Sequence, residues 1–523
     1  MLRRRTTPTS PAVRAPRTTA LPMLFATLAG ASTMLAVAPF GWWPLQLLAF
    51  AFLFYQVGMD TSVKRSALIG WAFSLGWSVA GVHWLYIAVT RYGDLNPFIA
   101  AIAIVLLGAY MGLYGGLAMA LATWLRRTWS LRVTSFVLLV LPVMWGLSEW
   151  MRGWVMTGFP WASAGYAHNV SPLSGYAPLV GAYGIGVIAA LCGSCLVMLT
   201  QRYRKEGMGL LTIVLAVGFG LSTIAWTRPE GQPLSVRLVQ GNIEQQFKFH
   251  AAHVASTLEL YRAMVREAPA DLIALPETAI VMLPQFLPPD YLPSLQTYAT
   301  ETNSHLLFGI PVSDGPGHYA NSVAGFSPFG ASVYRFDKQH LVPFGEFVPY
   351  GFRWFVDMMK IPLGDQTSGA TVQAPFPVRD QLVLPNVCYE DVFGEEIALQ
   401  LRSMPRPATM LLNVSNLAWY GQSVAIPQHL QISQMRSIET GRPMLRATNT
   451  GATALIDGRG KIVSQLPYYT RGTLAVKVQG MGGMTPFIRF GNTTMLLLAA
   501  VALAAAWASG RKYAKAAATT AQT

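Results

Sequence analysis

Three polar residues stand where runs of strand-forming residues give out. Glu277 follows LIALP, Lys338 follows VYRFD and Cys388 follows LVLPNV. Polar groups at the strand ends of an α/β sheet converge on one crevice. A thiol needs a base to become the nucleophilic thiolate, and a carboxylate with a raised pKa can serve as one. When a thiolate attacks an ester or amide, the oxyanion that forms needs a positive group, which a lysine supplies. Each residue alone is ordinarily structural. Three of them at three strand ends point to acyl transfer through a thiol.

Cys388 differs from the other two cysteines in its surroundings. Cys192 and Cys195 form a C-x-x-C inside apolar LCGSCLVM, where small residues let helices pack closely. A metal or redox pair there would need polar surroundings and more ligands. Cys388 is a lone thiol in a segment of ordinary polarity, and in an oxidising compartment such a thiol is either inert or reactive by design. The sequence has no metal constellation, and no GxGxxG or phosphate-cradling loop, so neither a metal nor a nucleotide cofactor is expected.

The elements that must position these residues lie in 235–478. Strand candidates are 235–243, 271–279, 304–312, 332–338, 381–389, 409–416 and 444–457, all rich in Val, Ile and Leu. Segments 253–268 and 423–439 carry apolar residues at helical spacing. The pattern predicts a layered α/β domain with buried strands.

The rest of the chain is of another kind. Of 523 residues 52% are hydrophobic and only 12% charged, against about 25% charged in ordinary soluble domains. Apolar runs near or above the roughly 18–20 residues that cross a bilayer fall at 21–39, 43–59, 67–89, 97–124, 133–150, 177–200, 208–226 and 493–509. Eight transmembrane helices are expected from them, seven before the α/β domain and one after it. The net charge of +14 resides between these runs rather than in one patch interleaved with aromatics, so nucleic acid is not an expected partner.

Lys and Arg in the short connections set the orientation. Arg3, Arg4, Arg5, Lys64, Arg65, Arg126, Arg127, Arg132, Arg202, Arg204, Lys205, Arg511 and Lys512 fall on one side, against Arg91 and Arg152 on the other. Both termini are therefore expected in the cytoplasm and the α/β domain outside it. Reading 1–38 as a cleaved signal peptide would remove one span and invert that bias. The expected organisation is a cytoplasmic tail at 1–20, a membrane domain at 21–226, the exported domain at 235–478, the last span at 493–509 and a second tail at 510–523. His83, near the end of the third run, reads as an interfacial histidine.

With these residues in place a resemblance becomes specific. The domain resembles the nitrilase, or carbon-nitrogen hydrolase, superfamily, whose site is a Glu-Lys-Cys triad and whose fold is an α-β-β-α sandwich. The whole chain resembles that superfamily's membrane-embedded branch, the apolipoprotein N-acyltransferases. The segments that carry the resemblance are VQGNIEQ (239–245), LPETA (275–279), DKQHLVPFGEFVP (337–349), CYEDVF (388–393), VSNLAWYG (414–421) and MRSIETGRPMLRATNTG (435–451). It implies Glu277 as general base, Lys338 as oxyanion stabiliser and Cys388 as nucleophile. It implies Glu346 as a second glutamate bonded to the lysine, with Tyr389 and Glu390 supporting the site. It further implies a phospholipid acyl donor, a thioester on Cys388, a diacylglyceryl-cysteine apolipoprotein as acceptor, no cofactor, and the bacterial inner membrane with the catalytic domain in the periplasm. A monomer is expected, because eight spans restrict how copies can dock.

One departure stands out: where relatives often carry Pro and Trp, this chain has Glu244 and Phe249. Candidate substrate-binding residues are Phe249, Trp161, Trp354, Phe355, Met358 and Trp419. Trp354, Phe355 and Met358 belong to FVPYGFRWFVDMMKIPL (347–363), too short to span and suited to a lipid interface. Trp161 belongs to GFPW in the exported loop 151–169. Two alternatives remain open: an amidase using the same triad with water as acceptor, and a non-catalytic scaffold that binds lipoproteins.

Overall fold

The computed structural model describes residues 19–248, 250–330, 332–351, 353 and 365–522. Phe249, Trp354, Phe355 and Met358 therefore lie outside the described residues, as does most of the N-terminal tail.

Each of the eight apolar runs is helical. Among the described residues five helices are long and apolar enough to cross a membrane: Pro97–Thr128, Val133–Arg152, Pro172–Leu199, Arg204–Ser222 and Thr493–Ala516. Val63–Val82 and Leu85–Arg91 form a sixth candidate bent by 59°, while Ala20–Ala36 and Trp43–Gly58 are apolar but shorter. The bend falls at exposed His83, which ends the first half of that pair. Small residues bring these helices together. A Cβ at Gly30 or Gly76 would run into the backbone of Phe73 or Thr27, the close approach that apolar helices use when water does not drive them together. Cys192 and Cys195 are unpaired and buried in the helix Ala177–Leu199.

That helix is broken near its start, where Gly181 takes φ 65° and ψ −175°. The break leaves the Ala182 N–H without a helical acceptor, and the Glu439 carboxylate, from the helix Ala425–Thr440 of the α/β domain, accepts it at 2.7 Å.

The α/β domain is built from two six-stranded sheets packed face to face. The first contains β1 (Leu234–Gln240), β2 (Leu272–Ala274), β3 (His305–Gly315), β4 (His318–Phe326) and β5 (Tyr334–Asp337). The second contains β6 (Phe376–Val378), β7 (Gln381–Val387), β8 (Met410–Ser415), β9 (Met444–Thr448), β10 (Ala454–Ile456) and β11 (Ile462–Gln465). β12 (Gly472–Val478) returns to the first sheet beside β1. The orders are β12-β1-β2-β3-β4-β5 and β11-β10-β9-β8-β7-β6. β1, β2 and β3 run parallel, as do β7, β8 and β9. Such strands are covered on both faces, which is why they read as unbroken apolar runs. Between the sheets pack Leu238, Leu272 and Leu307 from one side with Val383, Leu412 and Leu445 from the other. Helices Ala251–Arg266 and Tyr291–Thr302 cover the first sheet, and Gly394–Ser403 and Ala425–Thr440 cover the second. The result is the expected helix–sheet–sheet–helix sandwich.

The structure also corrects the strand reading. The run 444–457 is two antiparallel strands, β9 and β10, folded back at 449–453. β4, β6, β11 and β12 were not among the expected strands. In 271–279 only three residues pair, because Pro276 and the left-handed Thr278 (φ 49°) turn the chain out of the sheet and carry Glu277 with it.

Gly181→Ala is expected to lower the thermal midpoint of the detergent-solubilised protein. The left-handed backbone costs a Cβ-bearing residue about 1–3 kcal/mol, and the added methyl would meet the ring of Phe487.

Candidate active site

The strand directions gather the site. β2, β5 and β7 end on the same side of the double sheet, and Glu277, Lys338 and Cys388 follow them directly or within three residues. Cys388 sits at φ 51°, a left-handed conformation that residues with a side chain rarely adopt, at the start of the short helix Cys388–Val392. Asn242 and Thr278 share that conformation nearby. Strain of this kind persists where the surroundings over-determine it.

Glu277 is held at both oxygens. Oε1 accepts from Asn321 Nδ2 at 2.8 Å, and Oε2 accepts from the Asn416 N–H at 2.8 Å. Lys338 is buried, with its Nζ 2.8 Å from Glu346 Oε1 and 3.8 Å from Glu277 Oε1. Asn321 also donates to Glu346 at 3.2 Å, so one amide links the two carboxylates. The second oxygen of Glu346 accepts the Val342 N–H at 2.8 Å. Among the described residues Glu390 bonds only to backbone: it accepts the Val387 N–H on one oxygen and the Gln339 and His340 N–H groups on the other. It thereby ties the strand end before Cys388 to the loop after Lys338.

The charges determine what the site can do. Burial pushes the Cys388 thiol well above its ordinary range and Glu277 pushes it further, while Lys338 draws it down. A thiol held up in this way needs a base at the moment of attack. Burial works against the Lys338 charge, but Glu346, Glu277 and Cys388 outweigh it and hold the ammonium well above its usual range. Burial also raises Glu390 to about 7, against the bonds from Val387 and Gln339 that favour its ionised form.

Sequence reasoning missed several residues here. Asn321 lies in an unread strand. Asn416 follows β8 and supplies the N–H that reaches Glu277. Lys248 is buried, donates to the Glu277 carbonyl at 3.0 Å, and is drawn down to about 8 by burial, with Glu277 and Cys388 working the other way. Tyr420 is half-buried within reach of the charges of Cys388, Lys338 and Glu277. The signal for Asn321 and Asn416 was their place at or near strand ends on the side where the triad gathers; Lys248, which ends the short helix Gln245–Lys248, gave no such signal.

The remaining expected residues are distributed between the site and the junction with the apolar helices. The Tyr389 hydroxyl donates to the Gly158 carbonyl at 3.0 Å, outside the triad. Trp161 is buried at the same junction, its N–H on Gln428 at 2.9 Å and its ring stacked on His429. Trp419 is partly exposed and packs edge-on against Tyr92 at 5.3 Å.

Two sheets back to back, with Glu, Lys and Cys gathered at their strand ends, define a carbon-nitrogen hydrolase, and residues 235–485 match that family's model. Residues 29–195 match the model of the apolipoprotein N-acyltransferase N-terminal domain. The apolipoprotein N-acyltransferase of Ralstonia nicotianae is 49% identical over 488 residues, covering 93% of both chains. That of Nitrosomonas europaea is 40% identical over 493 residues, covering 92% of this chain and 97% of its own. The chain belongs to the apolipoprotein N-acyltransferase family and is an acyltransferase. Among solved structures it is similar to Saccharomyces cerevisiae Nit3, of the nitrilase superfamily, at 17% identity and a TM-score of 0.37 over 49% of this chain and 93% of that one.

Two variants separate base from cation. Glu277→Gln removes a charge that raises the thiol, so alkylation of Cys388 by a small neutral reagent at pH 8 is expected to rise. Acyl loading of Cys388 should nevertheless fall by about 10²–10⁴, the usual contribution of a positioned base. Lys338→Met should lower both, loading by about 10²–10³. Parallel losses of alkylation and loading in Glu277→Gln would remove Glu277 from the role of base.

Proposed function

We propose that the chain transfers a fatty acyl group from a membrane phospholipid, through a thioester on Cys388, to the α-amine of a diacylglyceryl-cysteine apolipoprotein. The observation that carries this is Cys388 in a left-handed backbone, its thiol subject to the charges of Glu277 and Lys338, which lie 3.8 Å apart. Glu277 takes the proton from Sγ, and the thiolate attacks the ester carbon of the phospholipid. Lys338, held by Glu346, faces the oxyanion. The C–O bond breaks, Glu277 returns the proton to the departing lysophospholipid, and the thioester remains.

In the second half the acceptor's neutral amine attacks the thioester carbon. An α-amino group titrates near 7.7–8.0, so part of it is neutral at ordinary pH. Glu277 takes the proton that the nitrogen loses, the C–S bond breaks, and the thiolate is reprotonated. A thioester is reactive enough to acylate an amine without ATP, which suits a site outside the cytoplasm.

The eight apolar helical segments are all spans on this reading, and the chain works as a monomer in the bacterial inner membrane. Segments 1–20 and 510–523 are cytoplasmic tails, 21–226 and 493–509 form the membrane domain, and 235–478 is periplasmic. The asymmetry of Lys and Arg supports this orientation. Phe249, Trp354, Phe355, Met358 and Trp419 remain candidates for contact with acyl chains.

Intact mass after incubation with phospholipid tests the chemistry. One added acyl group, removed by neutral hydroxylamine, discharged by a diacylated lipopeptide and absent in Cys388→Ala, is expected. Turnover of small amides without an adduct would favour an amidase; neither activity would favour a scaffold. For orientation, a cysteine replacing exposed Phe329 should react with an impermeant maleimide in intact spheroplasts, whereas Lys512→Cys should react only after lysis.

A further inference from the structure

His429 lies behind the nucleophile and takes no part in the steps above. Its Nε2 is 3.2 Å from the Cys388 carbonyl oxygen, and its Nδ1 is 2.9 Å from Arg446 Nη2. A guanidinium only donates, so Nδ1 is the acceptor and the proton is on Nε2. The ring is therefore the neutral tautomer, donating to the carbonyl of the nucleophile itself. The charges facing it are those of Arg446 and Lys338, which oppose a second proton on the buried ring. Asp391 and Ser433 hold Arg446 from its other side.

Two further contacts give this bond its significance. Cys388 holds a left-handed backbone, and its carbonyl receives only one other side-chain donor among the described residues, Asn413 Nδ2 at a long 3.4 Å. The ring of Trp161 covers the imidazole face at 5.4 Å and 15° between planes. Trp161 comes from the loop between two membrane helices, and its own N–H is on Gln428, the residue before His429. The helix segment that grips the nucleophile is thus itself held by the membrane part of the chain.

We propose that His429 is a positioning residue for the acyl transfer: its neutral imidazole pins the Cys388 carbonyl and so fixes the turn that presents Sγ, and Trp161 makes that grip depend on the membrane part of the chain. The proposal rests on Cys388 being the nucleophile. A misplacement of about 1 Å can cost 10² in rate, so losing the grip acts on the chemical step and not on lipid binding.

The test is the rate of thioester formation by the full-length protein in detergent with phospholipid, resolved into kcat and KM. His429→Met should lower kcat 10- to 100-fold with KM within about twofold. His429→Gln, which keeps an N–H near the Nε2 position, should recover at least tenfold of that loss. The pH profile should keep its limbs at a lower plateau, because the ring does not titrate in the working range. Trp161→Ala should show the same kcat loss, Trp161→Phe little, and the double variant His429→Met/Trp161→Ala no more than either single one. Gln no better than Met, a lost pH limb, or multiplying losses in the double variant would overturn the proposal. Should His429→Met not fold, Trp161→Ala decides alone: a kcat loss with KM within about twofold supports the proposal, and an unchanged kcat overturns it. Wild-type loading that persists in Cys388→Ala would instead overturn the nucleophile, a separate outcome.

Discussion

A polar helix buried along nearly its whole length is the constraint on which the molecule depends. Ala425–Thr440 carries Gln428, His429, Gln431, Ser433, Arg436 and Glu439, and all six are buried. A buried polar group without a partner costs roughly 1–3 kcal/mol, so each must be met, and the partners come from both halves of the chain. Gln428 accepts from Trp84 and Trp161 of the apolar helices and their loop, Gln431 from Ala38, and Glu439 from Ala182. From the α/β side, Arg446 meets His429 and Ser433. An ordinary amphipathic helix shows one face to water and tolerates movement there. This one has no such face, and sliding the two halves past each other would strip several groups at once.

The same economy holds at the strand ends. Three charged side chains, Glu277, Lys338 and Glu346, are taken out of water together, and buried charges persist only when paired and hydrogen-bonded. Asn321 and backbone N–H groups supply the remaining bonds. The arrangement leaves the thiol, whose proton burial and Glu277 hold in place, dependent on a neighbouring base for its removal. Glu390 is needed for register rather than charge: it fastens two loops, one from each sheet, so that Lys338 and Cys388 keep their spacing.

Much of this was legible in the sequence, for physical reasons. Parallel strands buried on both faces leave unbroken Val, Ile and Leu runs, and the polar residue after such a run stands at a strand end; that rule found Glu277 and Cys388, while Lys338 was found at the end of a short antiparallel edge strand, YRFD. It failed for β4 and β12, whose polar and small residues (Asn321 and Ser322 in one, Lys477 in the other) interrupt the run. Asn321 was lost with its strand. The helix 425–440 was found by its spacing, but its burial was not legible, since its polar residues look as though they face water. Trp161 stood as a substrate-binding candidate in an exported loop; its bond to Gln428, beside His429, spans 267 positions of the chain, which no local pattern records.

The bond between Glu439 and the Ala182 N–H joins residues 257 positions apart. A ribosome adds about 5–20 residues per second, so roughly 13–50 s separate the synthesis of the amide from that of its acceptor. Through that interval the broken helix has left the ribosome while its first N–H still relies on water or a temporary neighbour. The membrane half therefore reaches its final form only after most of the α/β domain has been made, and a chain cut short before residue 439 would carry an unfinished helix end into the bilayer.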